Sequence, residues 1–387
     1  MSLTASRATV ADAGRTGVPG RVPVLTMGVE EEFLLVDRVS RAPVGRGPRV
    51  IAAAGRTLGP LVQPEFFTAQ VEICTSPTTD AAALRSELSG IRAEVIRAAA
   101  TEQCLLLAAG TPVVPPERPL TVTRDERYRR MASRFPWILG DYDQAVCGCH
   151  VHIGVDSRAE ALDLANRMRS WLPVVQALAG NSPFDRGRDS GYASWRAVEH
   201  ARWPTVGPAP VLDEAAYERR AEELVRSGTV LDRRMIYWYA RPSEHVPTLE
   251  IRVADVNARI GTVVLLAVLV RGLAATLRAE AAEGAPAPAP HSARLREAHL
   301  LAAVHGLHGD GLDPVDGAPV PAWTLVARLR DRAAPGLAAS GDSGLVDALL
   351  EEVRTEGTGA ARQRAAHRRH GRLSRVVDSL VEAVAEG

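Results

Sequence analysis

Residues Thr26 to Asp37 read TMGVEEEFLLVD, three consecutive glutamates inside a segment otherwise patterned as a β-strand. Glu is a weak strand former and neighbouring carboxylates repel one another, so something specific must hold Glu30, Glu31 and Glu32 there. Alternate residues of a strand share a face, about 6.5–7 Å apart. Glu30 and Glu32 then share one face, while Val29, Phe33 and Leu35 take the other together with Glu31. Three further segments repeat the pattern. In FTAQVEICTSP (67–77), Gln70 and Glu72 oppose Val71 and Ile73. In CGCHVHIGV (147–155), His150 and His152 oppose Val151 and Ile153. In PTLEIRVADV (247–256), Glu250 and Arg252 oppose Leu249, Ile251 and Val253.

A merely solvated sheet face carries Thr, Ser, Lys and Arg in mixed order, and an isolated HVH is as often structural as functional. Here the polar positions are mostly Glu and His, the residues that bind divalent cations. With no cysteine ligand spacing, they favour Mg²⁺ or Mn²⁺ over softer metals. Cations between the strands would explain why Glu30 and Glu32 are tolerated. A Mg²⁺ site with open positions usually completes its shell with substrate phosphates. Glu31 points to the apolar face and calls for a partner Arg or a sheet edge.

The surrounding elements follow from periodicity and caps. The strands 26–37, 67–77, 144–156 and 246–257 are joined by a buried strand from Cys104 and by helices over 80–103, from Arg124, over 158–179 and over 262–279. Asp80 is a plausible N-cap. The run from Thr262, about 16 residues, is shorter than the ~20 a membrane span needs and reads as a buried helix. Beyond EGAPAPAPHS the chain reads as helical to its end. Strands and helices without regular alternation argue an α+β fold with an antiparallel sheet.

Composition narrows the chemistry. The 387 residues carry 46 basic and 46 acidic groups, which offers nothing to nucleic acid or an anionic membrane. Every one of those basic residues is Arg, which removes any P-loop Lys, kinase strand Lys or Schiff-base Lys. Cys74, Cys104, Cys147 and Cys149 lack zinc-ribbon or thioredoxin spacing and suggest a reduced, cytoplasmic setting. The polar N-terminus, 1–21, reads as a disordered tail and not as a signal peptide.

The segments GVEEEFLLVD, QVEICTSP, CGCHVHIGV, NSPFDRGRDSGYASWR and PTLEIRVADV, with GTGAARQR (357–364), resemble the YbdK-type carboxylate–amine ligases, the second class of glutamate–cysteine ligases, over roughly residues 24 to 380. The resemblance implies a glutamine-synthetase-like fold: a curved, mainly antiparallel sheet forming an open funnel, with helices on its outer face. It implies one catalytic domain over 22–387, with 22–283 holding the sheet and 284–387 a helical extension. It also implies ATP and two or three Mg²⁺ ions, with Mn²⁺ able to substitute, and a reaction that joins a carboxylate to an amine through an acyl phosphate. Glutamate and cysteine are the small-molecule substrates it suggests, and a homodimer the assembly.

Carried over by motif, Glu30, Glu32, Glu72, His150 and Glu250 become metal ligands, and Glu65 falls where related ligases place another acidic ligand. Arg252 takes the γ-phosphate and the acyl-phosphate charge. His152 and Arg196 orient the amino acid, and Tyr192, Trp195, Tyr237 and Trp238 are candidate walls. Arg127, Arg129 and Arg130 belong either near the nucleotide or on a solvated helix face. A carboxylate or guanidino kinase, a non-catalytic nucleotide or metal sensor and a metal-dependent hydrolase remain open alternatives.

Overall fold

The computed structural model describes residues 22–139 and 145–386. The expected N-terminal tail, 1–21, and Gln144, where the third strand was expected to begin, lie outside those residues.

The glutamate-rich segment forms β1 (Met27–Asp37), the longest strand and the centre of the sheet. Antiparallel partners flank it: β3 (Gln70–Cys74) on one side, and β4 (Cys104–Leu107) with β5 (Gly148–Gly154) on the other. The short β2 (Val62–Pro64) extends the sheet beyond β3. The residues 182–196, expected as a loop, contain the two-residue strands β6 (Phe184–Asp185) and β7 (Arg188–Asp189), which pair only with each other. A hairpin of β8 (Ala240–Pro242) and β9 (Thr248–Asp255) completes the main sheet against β5, in the order β2-β3-β1-β5-β9-β8. Every pairing in it is antiparallel. β10 (Asp310–Leu312) and β11 (Pro319–Pro321) form a separate ribbon.

The alternation read from the sequence sorts the two faces. Val29, Val151, Ile153, Leu249, Ile251 and Val253 pack with the helix Ile260–Ala282 in one core. That helix has 23 residues, longer than expected, and is the one helix among the described residues long and apolar enough to cross a membrane; its apolar stretch is wholly buried in the fold. The helix Ala322–Ser340 packs along it at Gly272 and Gly336. A Cβ on Gly336 would lie 2.0 Å from the Gly272 carbonyl oxygen, so only glycine allows that approach. A second core gathers Phe33, Leu35, Val71 and Ile73 with the C-terminal helix Leu373–Glu386. The expected continuous helix over 158–179 is broken into Arg158–Met168 and Leu172–Ala179, because Pro173 is compatible only with the first turn of a new helix.

Glu31 finds the partner its position demanded. It sits on the apolar side of β1, fully buried, opposite Arg92 of the helix Ala81–Thr101. The guanidinium donates to both carboxylate oxygens, at 3.0 and 2.5 Å, and to the carbonyls of Asn257 and Ala258 beyond the end of β9, at 2.8 and 2.6 Å. One side chain thus ties β1, the helix and the β9 exit together. The helix itself starts where its cap was read, with the Asp80 carboxylate accepting from the Ala82 and Ala83 amides.

Replacing Arg92 by Met strands a buried carboxylate and is expected to cost about 3–5 kcal/mol in chemical denaturation, with the m-value unchanged. The double variant Glu31→Leu/Arg92→Met should recover most of that loss, because no charge is then left unpaired.

Candidate functional site

The polar face of the sheet forms the floor of an open cleft of about 1150 Å³. Strand register, more than any loop, assembles its chemistry. Glu30 on β1 stands opposite His150 on β5, His152 opposite Glu250 on β9, and Glu32 opposite Glu72 on β3. Directly opposed residues in an antiparallel pair lie about 4.5–5.5 Å apart, within ligand-sharing range. Glu65, in the turn before β3, joins from the side.

Two donor clusters result. Glu30, His152 and Glu250 each offer a ligand atom within 4.8 Å of one another, and Glu32, Glu65 and Glu72 do the same. His150 stands between them: Nδ1 is 3.2 Å from Glu30 and 3.8 Å from Glu250, and Nε2 is 3.7 Å from Glu32. The Nε2 atom of His150 is buried without a hydrogen-bond partner among the described residues, and that of His152 lies 3.3 Å from Glu30 Oε1. His152 is oriented by Thr248, whose hydroxyl lies 2.8 Å from its Nδ1.

The clusters differ in charge balance. Burial pushes the Glu250 carboxyl up, but the charges of Arg241 and Arg252 outweigh it and hold the group well below the usual range. Arg241 donates to Glu250 at 2.7 Å, and Arg252 is bonded to it as well. Burial likewise opposes ionisation of Glu30, and hydrogen bonds with His150 and His152 reverse the effect. His150 is held below its usual range by burial and by the Arg252 charge. The other cluster has less relief, since the Arg252 charge acts on Glu65 more weakly than burial and Glu32 do. Burial, then the Glu32 charge, raises Glu65 to about 7. Burial, then the charges of Glu65, Glu30 and Glu32, raises Glu72 well above the carboxylate range. Three carboxylates converging with no arginine in ion-pair contact among the described residues, beside the unpartnered His150 Nε2, fit hard divalent cations.

Residues 26–379 match the model of the glutamate–cysteine ligase family 2. The chain belongs to that family. It is an enzyme of the ATP-dependent carboxylate–amine ligase type. A Salinispora tropica protein that carries the name glutamate–cysteine ligase 2 provisionally is 43% identical over 348 residues, 89% of this chain and 91% of that one. A Nocardia farcinica protein named in the same way, glutamate–cysteine ligase 2-1, is 43% identical over 364 residues, 94% of each chain. Among solved structures, the glutamate–cysteine ligase of Francisella tularensis in complex with AMP superposes with a TM-score of 0.69 at 13% identity, covering 95% of this chain and 90% of that one. The bifunctional glutathione synthetase of Pasteurella multocida superposes with a TM-score of 0.67 at 16% identity, over 94% of this chain; the chain spans about half of that protein, 52%. These likenesses establish the fold, which is the glutamine-synthetase-like α+β architecture expected from the motifs.

Within this ligase, Glu30, Glu32, Glu65, Glu72, His150, His152, Glu250, Arg252 and Arg196 all line the cleft. Arg252 also lies over the Tyr237 ring, 5.4 Å from its centroid. Tyr192 and Trp195 lie outside the cleft lining and meet edge to face, centroids 5.1 Å apart. Their loop is drawn away by Arg364, which donates to Asp189 and to the Tyr192 carbonyl. Trp238 is buried against Tyr217 and only its neighbour Tyr237 faces the cleft. Arg127 reaches the cleft, bonded to Asp232 at 2.7 Å, whereas Arg129 and Arg130 do not. Sequence reasoning missed Arg241 and His200. The signal for Arg241 was the segment YARPSEHVPTLEIR: read as a hairpin, it pairs Arg241 with Glu250.

A carboxyl whose folded pKa is raised holds its proton longer in the folded state, so the fold loses stability as pH rises from about 4.5 towards that pKa. Chelator-treated Glu72→Gln should therefore melt above chelator-treated wild type at pH 8, and the gap should shrink by pH 5. Adding Mg²⁺ should raise the melting temperature of wild type and leave the variant nearly unmoved in a thermal-shift titration.

Proposed function

We propose that this ligase joins the γ-carboxylate of glutamate to an amine, with cysteine the first candidate, and cleaves ATP to ADP and phosphate in doing so. The observation that carries the proposal is the pair of donor clusters on one sheet face, flanked by Arg252 and Arg196, in a chain of this family.

Two bond exchanges make up the reaction. A carboxylate oxygen attacks the γ-phosphorus, the bond from that phosphorus to the bridging oxygen breaks, and ADP leaves with the electron pair. The amine nitrogen then attacks the acyl carbon, the C–O bond to phosphate breaks, inorganic phosphate leaves, and the nitrogen gives up a proton. Phosphoryl transfer depends mainly on positioning and charge neutralisation. Glu30, Glu32, Glu65, Glu72, His150, His152 and Glu250 would hold two or three Mg²⁺ ions, or Mn²⁺, whose charge offsets that of the β- and γ-phosphates when bound. Arg252, with its Nε still unpartnered among the described residues, faces the charge that develops on the transferring group. Arg196 holds the non-reacting carboxylate of the acid. A cytoplasmic homodimer completes the proposal, on the family resemblance.

ADP release with Mg²⁺-ATP and glutamate across a panel of amines, with products weighed by mass spectrometry, tests this. The expected result is turnover that needs both acid and amine and yields the matching amide. Arg252→Gln should lower turnover by roughly 10²–10³-fold. ADP release with the acid alone and no amide would mean a kinase, and ATP binding with no turnover for any pair would mean a sensor.

A further inference from the structure

Arg196 is the anomaly of the cleft. It is 3% exposed, lines the cavity and has no carboxylate within ion-pair distance among the described residues. Its guanidinium donates one hydrogen bond among the described residues, to the Arg252 carbonyl at 3.4 Å, and its Nε is buried without a partner. The guanidinium lies against Gly148, where a Cβ would sit 2.3 Å from Nη2, so β5 makes room for it. A buried cation with no carboxylate in ion-pair contact, beside a ligand cavity, can take an anion from outside, and it needs to be held in place until one arrives.

What holds it is a buried hub behind the cleft. Asp255, three residues beyond Arg252 on β9, is 1% exposed and has no basic side chain within ion-pair distance among the described residues. Its carboxylate accepts from the Ser182 hydroxyl at 2.6 Å, the Ser194 hydroxyl at 2.7 Å and the Asn181 amide at 2.8 Å. Each serine then reaches the short helix Trp195–His200 that carries Arg196. Ser182 Oγ accepts from the Arg196 amide at 3.0 Å, and Ser194 Oγ caps the helix through the Ala197 amide at 3.3 Å. A carboxylate accepts only, so each hydroxyl must donate to Asp255 and present its lone pairs to the helix. The hub thereby orients both caps.

We infer that Asp255, acting through Ser182 and Ser194, is the positioning residue that fixes Arg196 to receive the carboxylate of the acid substrate. This inference rests on the ligase reading above. Asp255 itself touches no substrate. The alternative is a purely structural hub that satisfies buried backbone amides, and the two differ in what happens when Arg196 is already altered.

The experiment is a double-mutant cycle on the full-length ligase: Ser182→Ala, Arg196→Lys and the pair, with Ser182→Thr as the rescue and Asp255→Asn as the second route into the hub. Read-outs are KM for the acid, KM for ATP, kcat and the melting temperature. Ser182→Ala should raise KM for the acid on the order of tenfold, with kcat and KM for ATP nearly unchanged. Ser182→Thr should restore it, Asp255→Asn should copy the alanine variant, and the pair should be no worse than Arg196→Lys alone. Additive losses in the pair, or a parallel fall in kcat, ATP affinity and melting temperature, would overturn the inference and leave the ligase reading standing. A wild type that turns over no acid–amine pair would overturn both.

Discussion

Five glutamates of this protein converge on one largely buried sheet face, and like charges that close cannot all remain ionised unless cations share the space. The rest of the structure is arranged around that electrostatic constraint. On the β9 side the protein meets it from its own resources, with Arg241 and Arg252 on Glu250 and two histidines on Glu30. On the β3 side it leaves Glu32, Glu65 and Glu72 facing one another with no arginine in ion-pair contact among the described residues, and Glu65 and Glu72 keep their protons to higher pH. The proposal gives cations to both clusters, with Arg241 and Arg252 alongside on the β9 side, so a bound nucleoside triphosphate would meet both kinds of positive charge.

Holding such a face together requires a scaffold that does not yield. β1 carries carboxylates on both sides, with Glu30 and Glu32 towards the cleft and Glu31 towards the core. Arg92 converts the third glutamate from a liability into an anchor, by binding β1 and the exit of β9 at once. The helix Ile260–Ala282 supplies an apolar backing broad enough to keep β5 and β9 in register beneath the two histidines and Glu250. The C-terminal helices are part of the same support. Gln363 donates to both the backbone and side-chain oxygens of Asn181, next to Ser182, so the last helices reach the residues that lie behind the cleft.

The absence of lysine has a structural counterpart. Guanidinium groups fork, so one Arg serves two or three acceptors with fixed geometry. Arg241 bonds Glu250 and the carbonyls of Arg234 and Ile236, and Arg92 bonds one carboxylate and two carbonyls. A lysine at either position would deliver its charge without that bracing.

Strand periodicity and residue chemistry, both local, were enough to read from the sequence which face of each strand carries Glu, His and Arg, that Asp80 caps a helix, that 262–279 lies in a buried helix, and which ligase family the ordered motifs resemble. These are legible because a strand's alternation and a cap's geometry depend only on neighbours in the chain. Tertiary structure alone decided the partners. Arg92 lies 61 residues from Glu31, and nothing in the helix pattern distinguished it from Arg85 or Arg97. Tyr192 and Trp195 read as cleft walls until Arg364, more than 160 residues away, proved to hold their loop elsewhere. The Asp255 hub joins residues scattered over 181–255, and its meaning appears only when β9 and the helix at 195 are brought side by side. The physical reason is the same each time: the sequence states which groups need a partner, and only the packing of distant segments determines which partner arrives.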